Sequence, residues 1–395
     1  MPQLTAVYHY QEYHMSSSVK VMTILGTRPD IIKLSRIISQ LEQYTNHVLV
    51  HTGQNHDYEL SDIFFKELCI TKPAYNLKIA TGHLAKDIAN IIVKVDDVLA
   101  TEKPDAVLFY GDTNSTLSVI TAKRRHIPIF HIEAGNRCFD LRVPEEINRK
   151  IIDHLSDINM TISEHARQYL IREGIPAERI MKVGSPLKEV YQYYSEKILA
   201  STILEQENLQ PKGYFLVSLH REDNVDPPDN LKELLKSLIG VCQRYQKKII
   251  ISTHPRTKKR LLALEEYKKI DKNKLIFKPP FSFFDYMQLQ KNSFCVLSDS
   301  GSITEEASIL NFPAVTLRRM HERPEGMDEG TLIMTGLKSK FILQAIHVVT
   351  QQFYDSAINT QINIVSDYNT ENVSLKVVRI ILSYIDYVNR NVWRK

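Results

Sequence analysis

The chain has 395 residues, of which 43% are hydrophobic and 24% are charged, and its formal net charge is +4. These ordinary globular values exclude disordered, collagen-like and coiled-coil proteins, and a small charge without a basic block argues against nucleic acid as the main partner. No apolar run approaches the roughly 18 residues of a membrane-spanning helix. The four cysteines are isolated and form no CxxC pair, which predicts a reducing, cytoplasmic compartment and no bound metal.

Glycine is scarce in this sequence. The chain contains 13 glycines, whereas an average usage of about 7% would give roughly 28. The low glycine content and the absence of a GxGxxG sequence argue against a glycine-rich dinucleotide loop, and therefore against a bound NAD. We expect no cofactor, and phosphate binding would depend on single glycines, hydroxyls and arginines.

Short apolar runs alternate with amphipathic, helix-length segments along most of the chain. Residues 1–18 lack an apolar signal core, and we expect them to be a leader or tag outside the fold. In the first half, strands are predicted at 19–25, 47–51, 106–110, 129–132, 158–161 and 180–183, and helices at 29–43, 57–68 and 83–100. After a polar stretch, strands are predicted at 214–219, 248–251, 275–277, 294–297 and 314–317, and a helix at 372–388.

This alternation predicts the α/β class, with two doubly wound, Rossmann-like parallel-sheet domains in tandem. The expected N-terminal domain covers residues 19–187 and the expected C-terminal domain residues 188–371. We expect the C-terminal helix, residues 372–395, to pack back on the first domain. Ligands should bind at the carboxyl ends of the strands, in the cleft between the two domains.

The first strand is followed by Gly26-Thr27-Arg28-Pro29-Asp30-Ile31-Ile32-Lys33. Pro29 suits a first helical turn, and Arg28 at that helix N-terminus can meet a phosphate. Lys33 lies about one turn further along and can point to the same side. The alternative is a capped helix with a solvated arginine and lysine.

Three carboxylates follow later strands of the first half. Asp112 follows one strand, Glu133 follows the next, and Glu145 opens a helix after Pro144. Carboxylates at a cleft edge suit acid–base work, because burial can shift their pKa values. Each has a structural alternative: Asp112 as a helix N-cap, Glu133 in an ion pair with Arg137, and Glu145 as an acidic residue at a helix N-terminus.

The strands of the second half end in residues suited to phosphate binding. His220 ends the first of them, as a phosphate neighbour, a proton donor or a satisfied boundary residue. Ser300-Gly301-Ser302 opens a helix, where backbone N–H groups, hydroxyls and the helix dipole form an anion site. Glu305 and Glu306 lie one turn further on, where they can accept hydrogen bonds from ribose hydroxyls. The charged run 318–326 either meets phosphates at the cleft or is a solvated loop.

Six sequence segments follow one another along the chain in a specific order. They are Gly-Thr-Arg-Pro-Asp-Ile-Ile-Lys (26–33), Gly-Asp-Thr (111–113), His-Ile-Glu-Ala-Gly (131–135), Pro-Glu-Glu-Ile-Asn-Arg (144–149), Asp-Ser-Gly-Ser-Ile-Thr-Glu-Glu (299–306) and Glu-Arg-Pro-Glu (322–325). With these segments the chain resembles the non-hydrolysing UDP-N-acetylglucosamine 2-epimerase family. The resemblance implies a GT-B-type pair of domains, a homodimer, and a metal-free and NAD-free inversion of C2 through elimination and re-addition of UDP.

The resemblance also implies roles for single residues. It implies catalytic roles for Lys33, Asp112, Glu133, Glu145 and His220. It implies UDP-sugar binding by Arg28, Arg149, Ser300, Gly301, Ser302 and Glu306, with Glu306 on the ribose. Which carboxylate removes the C2 proton and which returns one stays open at this point.

Three segments depart from the common family pattern. Gln54-Asn55-His56-Asp57-Tyr58 stands where many relatives have a Gln-His-Arg-Glu motif associated with an allosteric second substrate. Residues 135–142 and 321–328 look more like the branch that acts on 6-deoxy sugars to make UDP-N-acetyl-L-fucosamine for capsule or O-antigen. A GT-B glycosyltransferase and an inactive nucleotide-sugar binding module are the other hypotheses, and the ordered carboxylates argue against both.

Overall fold

The structure is a computed structural model, and it describes residues 18–53, 58–219, 221–253, 255–268, 270–355 and 363–395. His220, residues 54–57 and all but the last residue of the expected leader lie outside these ranges. The predictions made for them therefore stay predictions.

The first half of the chain contains a seven-stranded sheet in which every neighbouring pair is parallel. Its strand order is β3-β2-β1-β4-β5-β6-β7. The strands are β1 (Lys20–Leu25), β2 (Asn46–His51), β3 (Tyr75–Asn76), β4 (Ala106–Tyr110), β5 (Ile129–Ile132), β6 (Ile158–Thr161) and β7 (Ile180–Lys182). Strand β1 pairs with β2 on one side and with β4 on the other, so the strand order reverses between β1 and β4.

The second half contains a six-stranded parallel sheet in the order β10-β9-β8-β11-β12-β13. Its strands are β8 (Tyr214–Leu219), β9 (Lys248–Thr253), β10 (Leu275–Lys278), β11 (Cys295–Ser298), β12 (Ala314–Thr316) and β13 (Ile333–Met334). The order again reverses beside the first strand, between β8 and β11. The two sheets therefore repeat one doubly wound topology, which confirms the predicted fold class.

Helices cover the faces of both sheets. In the first half and the connection they are α1 (Arg28–Tyr44), α2 (Tyr58–Glu67), α3 (Leu84–Glu102), α4 (Val119–Arg124), α5 (Pro144–Leu155), α6 (Glu164–Arg172), α7 (Leu187–Tyr193), α8 (Ser195–Leu199) and α9 (Ile203–Gln206). The later helices are α10 (Glu222–Val225), α11 (Pro228–Tyr245), α12 (Pro255–Leu262), α13 (Glu265–Lys268), α14 (Phe283–Asn292), α15 (Ile303–Leu310), α16 (Pro324–Asp328), α17 (Ser339–Tyr354) and α18 (Val373–Val388). Three short 3₁₀ segments (114–118, 177–179 and 366–368) and a terminal π-helical turn (389–393) complete them.

All eleven predicted strands are present within two residues of their expected ends, and four of them match at both ends. The sequence did not indicate β3 and β13, because a two-residue strand carries no periodic pattern. The connection around residue 200, predicted as a polar interruption, contains the short helices α7 to α9.

The C-terminal helix α18 packs on the first half of the molecule. Val377 and Ile381 of α18 are fully buried in one apolar cluster with Leu34 and Ile37 of α1. Aliphatic side chains spaced three to four residues apart form this buried stripe, and each fully buried one stabilises the fold by about 1.5–3 kcal/mol. The return of the chain end to the first sheet thus holds α1, whose N-terminus faces the cleft. Among the helices of the described ranges, none has the length and apolar character that a membrane crossing requires.

Candidate active site

Both reversal points of strand order carry the residues that the sequence singled out. The loops after β1, β4 and β5 carry Arg28, Asp112 and Glu133, and the loop after β11 carries 300–302. Because carboxyl ends of parallel strands meet at one edge of a sheet, these loops line a common cleft. The structure brings residues of both halves into direct contact there.

The N-terminus of α1 is held by its own first turn. Thr27 is the N-cap, Pro29 lies in the first turn, and Thr27 and Asp30 form a capping box. The Asp30 carboxylate accepts hydrogen bonds from the backbone N–H groups of Gly26 (3.1 Å) and Thr27 (3.0 Å). This cap satisfies orphan donors and fixes the turn from which Arg28 and Lys33 project.

Glu133 lies in a strained backbone conformation directly after β5. Its φ is 68°, in the left-handed region that costs a non-glycine residue about 1–2 kcal/mol. The nearby Gly135 also has a positive φ, of 81°, and a Cβ there would collide with the carbonyl of Ala166. Strain of this kind persists only where surrounding contacts enforce it, and it is typical of functional sites.

Among the described residues, four side chains contact the Glu133 carboxylate. It accepts hydrogen bonds from Lys33 Nζ (2.8 Å), the Tyr110 hydroxyl (2.5 Å), Arg323 (3.2 Å) and, weakly, Asn136 (3.4 Å). Burial raises its pKa, but Lys33 and Arg323 outweigh burial and hold the pKa at about 2. Glu133 is therefore ionised near neutral pH.

The ion pair between Glu133 and Arg137, considered from the sequence, is wrong. Arg137 instead donates to Asp153 at 2.7 Å and to Glu173 at 2.6 Å. It is buried, and these two carboxylates raise its pKa despite that burial. Arg137 thus braces α5 and α6, while Glu133 faces the cleft.

His131, on β5, fixes the loops that carry two of the carboxylates. It is buried between the Gly111 carbonyl (2.8 Å from Nε2) and Asp153 (2.9 Å from Nδ1). Both ring nitrogens therefore face oxygen atoms. Asp153 also accepts a hydrogen bond from the Gly135 backbone (3.1 Å), so one buried pair ties the loop after β4 to the loop after β5.

Asp112 is paired with Arg149 of α5. Arg149 Nε donates to Asp112 Oδ2 at 2.8 Å, and its Nη1 donates to Glu146 at 2.9 Å. The Asp112 side chain is 25% exposed, whereas Arg149 is buried. The N-cap of the following 3₁₀ segment is Thr113, so the reading of Asp112 as a helix cap is wrong. The guanidinium of Arg149 holds Asp112. The predicted role of Arg149 as a UDP-sugar ligand stays a prediction.

Glu145 is the most exposed of the three predicted carboxylates. Its side chain is 43% exposed and lies 3.9 Å from Arg221 of the second half. Its neighbour Glu146 is fully buried and accepts hydrogen bonds from the backbone of Cys138 and Phe139. Glu145 is thus available to solvent and ligand, whereas Glu146 organises the loop before α5.

A cleft lies between the two halves, beside the N-terminus of α15. Ser300, Ser302 and Glu306 line it from the second half, and Arg28 and Lys33 line it from the first. Its apolar walls are aromatic and aliphatic: Ile32, Phe64, Leu187, Tyr191, Phe281, Phe283, Tyr286 and Met287. Aromatic walls around a few polar groups are typical of a small-molecule binding pocket.

The polar groups of this cleft include Arg28, Ser300, Ser302 and Glu306, whose predicted roles as UDP ligands stay predictions. The hydroxyls of Ser300 and Ser302 lie 2.9 Å apart, and Ser302 is the N-cap of α15 without a side-chain cap of its own. Glu306 accepts a hydrogen bond from Gln290 at 2.5 Å, and burial raises its pKa. Arg28 lies near Glu306 and over the ring of Phe64.

Glu305 and Glu306 face different sides of α15. Glu305 is fully buried and bonds to Lys33 (3.0 Å), Arg323 (2.9 Å) and Ser185 (2.5 Å). Its predicted access to a ribose is therefore wrong, whereas Glu306 does line the cleft. Successive helix residues point about 100° apart, so only one of the two can face the ligand.

The charged run 318–326 is not a solvated loop. Arg318, Glu322 and Arg323 are buried, and both arginines bind Glu322 at 2.7–2.8 Å. Sequence reasoning missed Tyr110 and Arg323 as partners of Glu133. Their signals were present, since Tyr110 directly precedes Gly-Asp-Thr and Arg323 lies in Glu-Arg-Pro-Glu.

Two doubly wound sheets, facing each other across a cleft with a serine-lined helix N-terminus and ion-paired carboxylates, define a two-domain enzyme of the GT-B-type fold. Comparison with known proteins narrows this class. The family model described as UDP-N-acetylglucosamine 2-epimerase matches residues 39–382. The chain belongs to this family.

Three relatives illustrate the similarity. The structure of UDP-N-acetylglucosamine 2-epimerase from Rickettsia bellii is 58% identical, with a TM-score of 0.89 over 96% of this chain and 100% of that one. The Methanocaldococcus jannaschii UDP-N-acetylglucosamine 2-epimerase is 37% identical over 84% of this chain and 92% of its own length. Its structure in complex with UDP-GlcNAc and UDP has a TM-score of 0.85 over 92% of this chain and 100% of that one. A UDP-2,3-diacetamido-2,3-dideoxy-D-glucuronate 2-epimerase from Pseudomonas aeruginosa is 34% identical over 83% of this chain and 91% of its own length.

Proposed function

We propose that this protein is a non-hydrolysing UDP-N-acetylglucosamine 2-epimerase, which inverts C2 to interconvert UDP-N-acetylglucosamine and UDP-N-acetylmannosamine. The family supports the reaction, and the M. jannaschii relative bound to UDP-GlcNAc and UDP supports the substrate class. The observation that carries the proposal is Glu133, an ionised carboxylate in strained backbone, paired with Lys33 at the edge of the cleft.

The reaction needs an elimination followed by an addition. A base takes the proton from C2, its C–H electron pair forms the C1=C2 bond, and the C1–O bond breaks with its electrons leaving on UDP. The product of this step is a 2-acetamidoglucal. An acid then delivers a proton to the opposite face of C2 while UDP adds back to C1, so neither an oxidant nor a reductant is required.

The cleft beside α15 is the proposed UDP site. The diphosphate would accept hydrogen bonds from the hydroxyls and backbone N–H groups of residues 300–302. It would also form an ion pair with the Arg28 guanidinium. The base would lie against the aromatic walls, and Glu306 would accept hydrogen bonds from the ribose. A helix N-terminus and cations in a partly dry cleft stabilise the negative charge that develops on departing UDP.

The proton transfers fall to the carboxylates of the first half. We assign removal of the C2 proton to Glu133, because its strained backbone after β5 places the carboxylate beside Lys33, which lines the cleft. We propose Asp112 and Glu145 as the groups that deliver a proton to the opposite face of C2. Glu145 reaches solvent and can regain a proton there between turnovers.

A 6-deoxy sugar of the UDP-N-acetyl-L-fucosamine route is the second candidate substrate. Residues 135–142 and 321–328 depart from the common family pattern, and the first of these stretches places Asn136 3.4 Å from Glu133. The P. aeruginosa relative is a 2-epimerase of a different UDP-sugar, so members of this family differ in the sugar.

Proton NMR in D2O tests the proposal and separates the substrates. The protein is incubated with UDP-N-acetylglucosamine and, separately, with UDP-2-acetamido-2,6-dideoxy sugars of the talo and fuco series. Deuterium at C2 together with the second epimer is the expected result. Absence of exchange with every sugar would reject the epimerase, and sugar transfer to an added acceptor without exchange would indicate a glycosyltransferase.

The setting of the enzyme is also proposed. The four cysteines are free in the structure, which fits a reducing cytoplasm, where nucleotide sugars are made for surface polysaccharides. We propose a homodimer from the family resemblance. Light scattering coupled to size-exclusion chromatography measures this directly, and a mass of one chain would contradict it.

A further inference from the structure

Two residues of the second half reach the acid–base group of the first half. Glu305 of α15 lies 3.0 Å from Lys33 Nζ, and Arg323 lies 3.2 Å from Glu133. Lys33 pairs with Glu133 at 2.8 Å, and Arg323 pairs with Glu305 at 2.8 Å. The four side chains therefore form a closed ring of alternating charge, which we call the ion ring: Lys33, Glu133, Arg323 and Glu305.

The ion ring is buried and electrically neutral. No side chain in it is more than 10% exposed. A buried charge that loses its partner is strongly unfavourable, whereas a fully paired one is tolerated. Each half supplies one cation and one anion, so contact between the halves pairs every ring member with two opposite charges.

We propose that Glu305 and Arg323 are positioning residues, which fix Lys33 and Glu133 in the reactive arrangement only when the two halves of the molecule meet. This inference rests on the proposed epimerase function. Lys33 and Glu133 can still pair when the halves separate, but two of the four edges of the ring are lost. The Glu133 carboxylate then loses Arg323 and keeps only its first-half partners, so it is held less tightly against C2 of the sugar.

The contacts of Glu305 exclude a role as a nucleotide ligand. One of its oxygens is used by Lys33 and Arg323, and the other accepts a hydrogen bond from Ser185. Its neighbour Glu306 is the residue that lines the UDP cleft. Glu305 therefore acts on the substrate only through the ring.

The ring is also contiguous with the anion-binding loop. Arg323 binds Glu322, and a side chain at Gly301 would collide with both Glu322 and Arg323. The loop that receives the diphosphate thus packs directly on the residue that positions Glu133.

The test compares Glu305→Gln, Arg323→Lys and Arg323→Met with the wild-type chain. Asp328→Asn is the matched control, because Asp328 pairs with His165 at 3.0 Å, also links the two halves, and is exposed. We measure kcat and KM for C2 exchange, the Kd of UDP, the thermal midpoint, and the radius of gyration by small-angle X-ray scattering with and without UDP.

Glu305→Gln is expected to lower kcat at least tenfold while the Kd of UDP changes less than threefold. Arg323→Lys, which keeps the charge, should retain more kcat than Arg323→Met, and Asp328→Asn should match the wild-type chain in kcat. In scattering, wild-type chain with UDP should be more compact than Glu305→Gln with UDP. The thermal midpoint identifies any variant that fails to fold, and the lysine variant then carries the test.

Wild-type kcat in Glu305→Gln would overturn the inference. So would a loss of UDP affinity that parallels the loss of kcat, since that would make Glu305 a nucleotide ligand. If the wild-type chain exchanges no C2 proton, the proposed function fails instead. The scattering comparison still decides the positioning role in that case, and equal compaction of wild-type chain and Glu305→Gln would reject it.

Discussion

The two halves of the molecule have the same sheet topology but different chemistry at equivalent positions. In each sheet the fourth strand in chain order lies beside the first, at the point where the strand order reverses. In the first half this strand, β4, is followed by Gly-Asp-Thr, whose Asp112 is paired with Arg149. In the second half the equivalent strand, β11, is followed by Asp-Ser-Gly-Ser, whose hydroxyls lie at a helix N-terminus.

This difference places proton transfer and diphosphate binding in separate loops. A carboxylate that moves protons repels a diphosphate, so placing both in one loop would weaken both. With the carboxylates after the strands of one sheet and the phosphate donors after the other, the two meet only across the cleft. Substitution of Glu133 or Asp112 should therefore affect the proton transfers, and substitution of Ser300 and Ser302 should affect UDP affinity.

The largest effect is expected for Glu133→Gln. We expect C2 deuterium exchange to fall by about 10³-fold or more, because a positioned base contributes about 10²–10⁴-fold. The Kd of UDP, measured by calorimetry, should change less than about threefold. Glu102→Gln, which removes a carboxylate paired with Lys20 away from the cleft, is the control. Equal loss of exchange and UDP affinity would make Glu133 a structural residue.

Asp112→Asn comes next and tests the equivalent loop of the first half. We expect exchange to fall by about 10²-fold, because the amide cannot hold a proton for transfer and pairs only weakly with Arg149. UDP affinity should again be nearly unchanged in a titration with the nucleotide. Full C2 deuterium exchange in this variant would show that Asp112 is not an acid–base residue. Glu145 would then be the remaining candidate for proton delivery to the opposite face of C2.

The double variant Ser300→Ala, Ser302→Ala should show the opposite pattern. Hydrogen bonds to a charged group contribute about 1.5–3 kcal/mol, so UDP affinity should fall by about 10-fold to 100-fold. Exchange at saturating sugar should fall less than this, since the carboxylates are unchanged. If exchange at saturation instead falls more than affinity, the separation of tasks between the halves is wrong.

The strands were readable from the sequence because apolar runs bounded by turn residues are a local signal. The edge strands β3 and β13 were not, since two residues carry no period. Side-chain partners were harder, because they depend on distant parts of the chain. Arg323 reaches Glu133 from 190 positions away. Glu305 and Glu306 look alike in sequence, and only the packing of α15 turns one to Lys33 and the other to the cleft.

The smallest expected effect is a pH dependence of stability with opposite signs in the two halves. Lys33 and Arg323 depress the pKa of Glu133 in the folded protein to about 2, below its ordinary value of 4.5. The stability from this group is therefore complete above pH 4.5 and is lost as the pH falls towards 2. Burial instead raises the pKa of Glu306 in the folded state. The folded protein then binds the extra proton, and stability falls as the pH rises above the ordinary glutamate pKa.

Urea unfolding from pH 2.5 to 7 checks both signs with the variants Glu133→Gln and Glu306→Gln. Relative to the wild-type chain, Glu133→Gln should lose its stability deficit as the pH falls, because the wild-type carboxylate is then protonated. Glu306→Gln should gain stability relative to the wild-type chain as the pH rises above about 4.5. The same sign in both variants would contradict the contrast between an ion-paired carboxylate in the first half and a desolvated one in the second. It would also require charged partners at Glu306 as strong as those that Lys33 and Arg323 supply to Glu133.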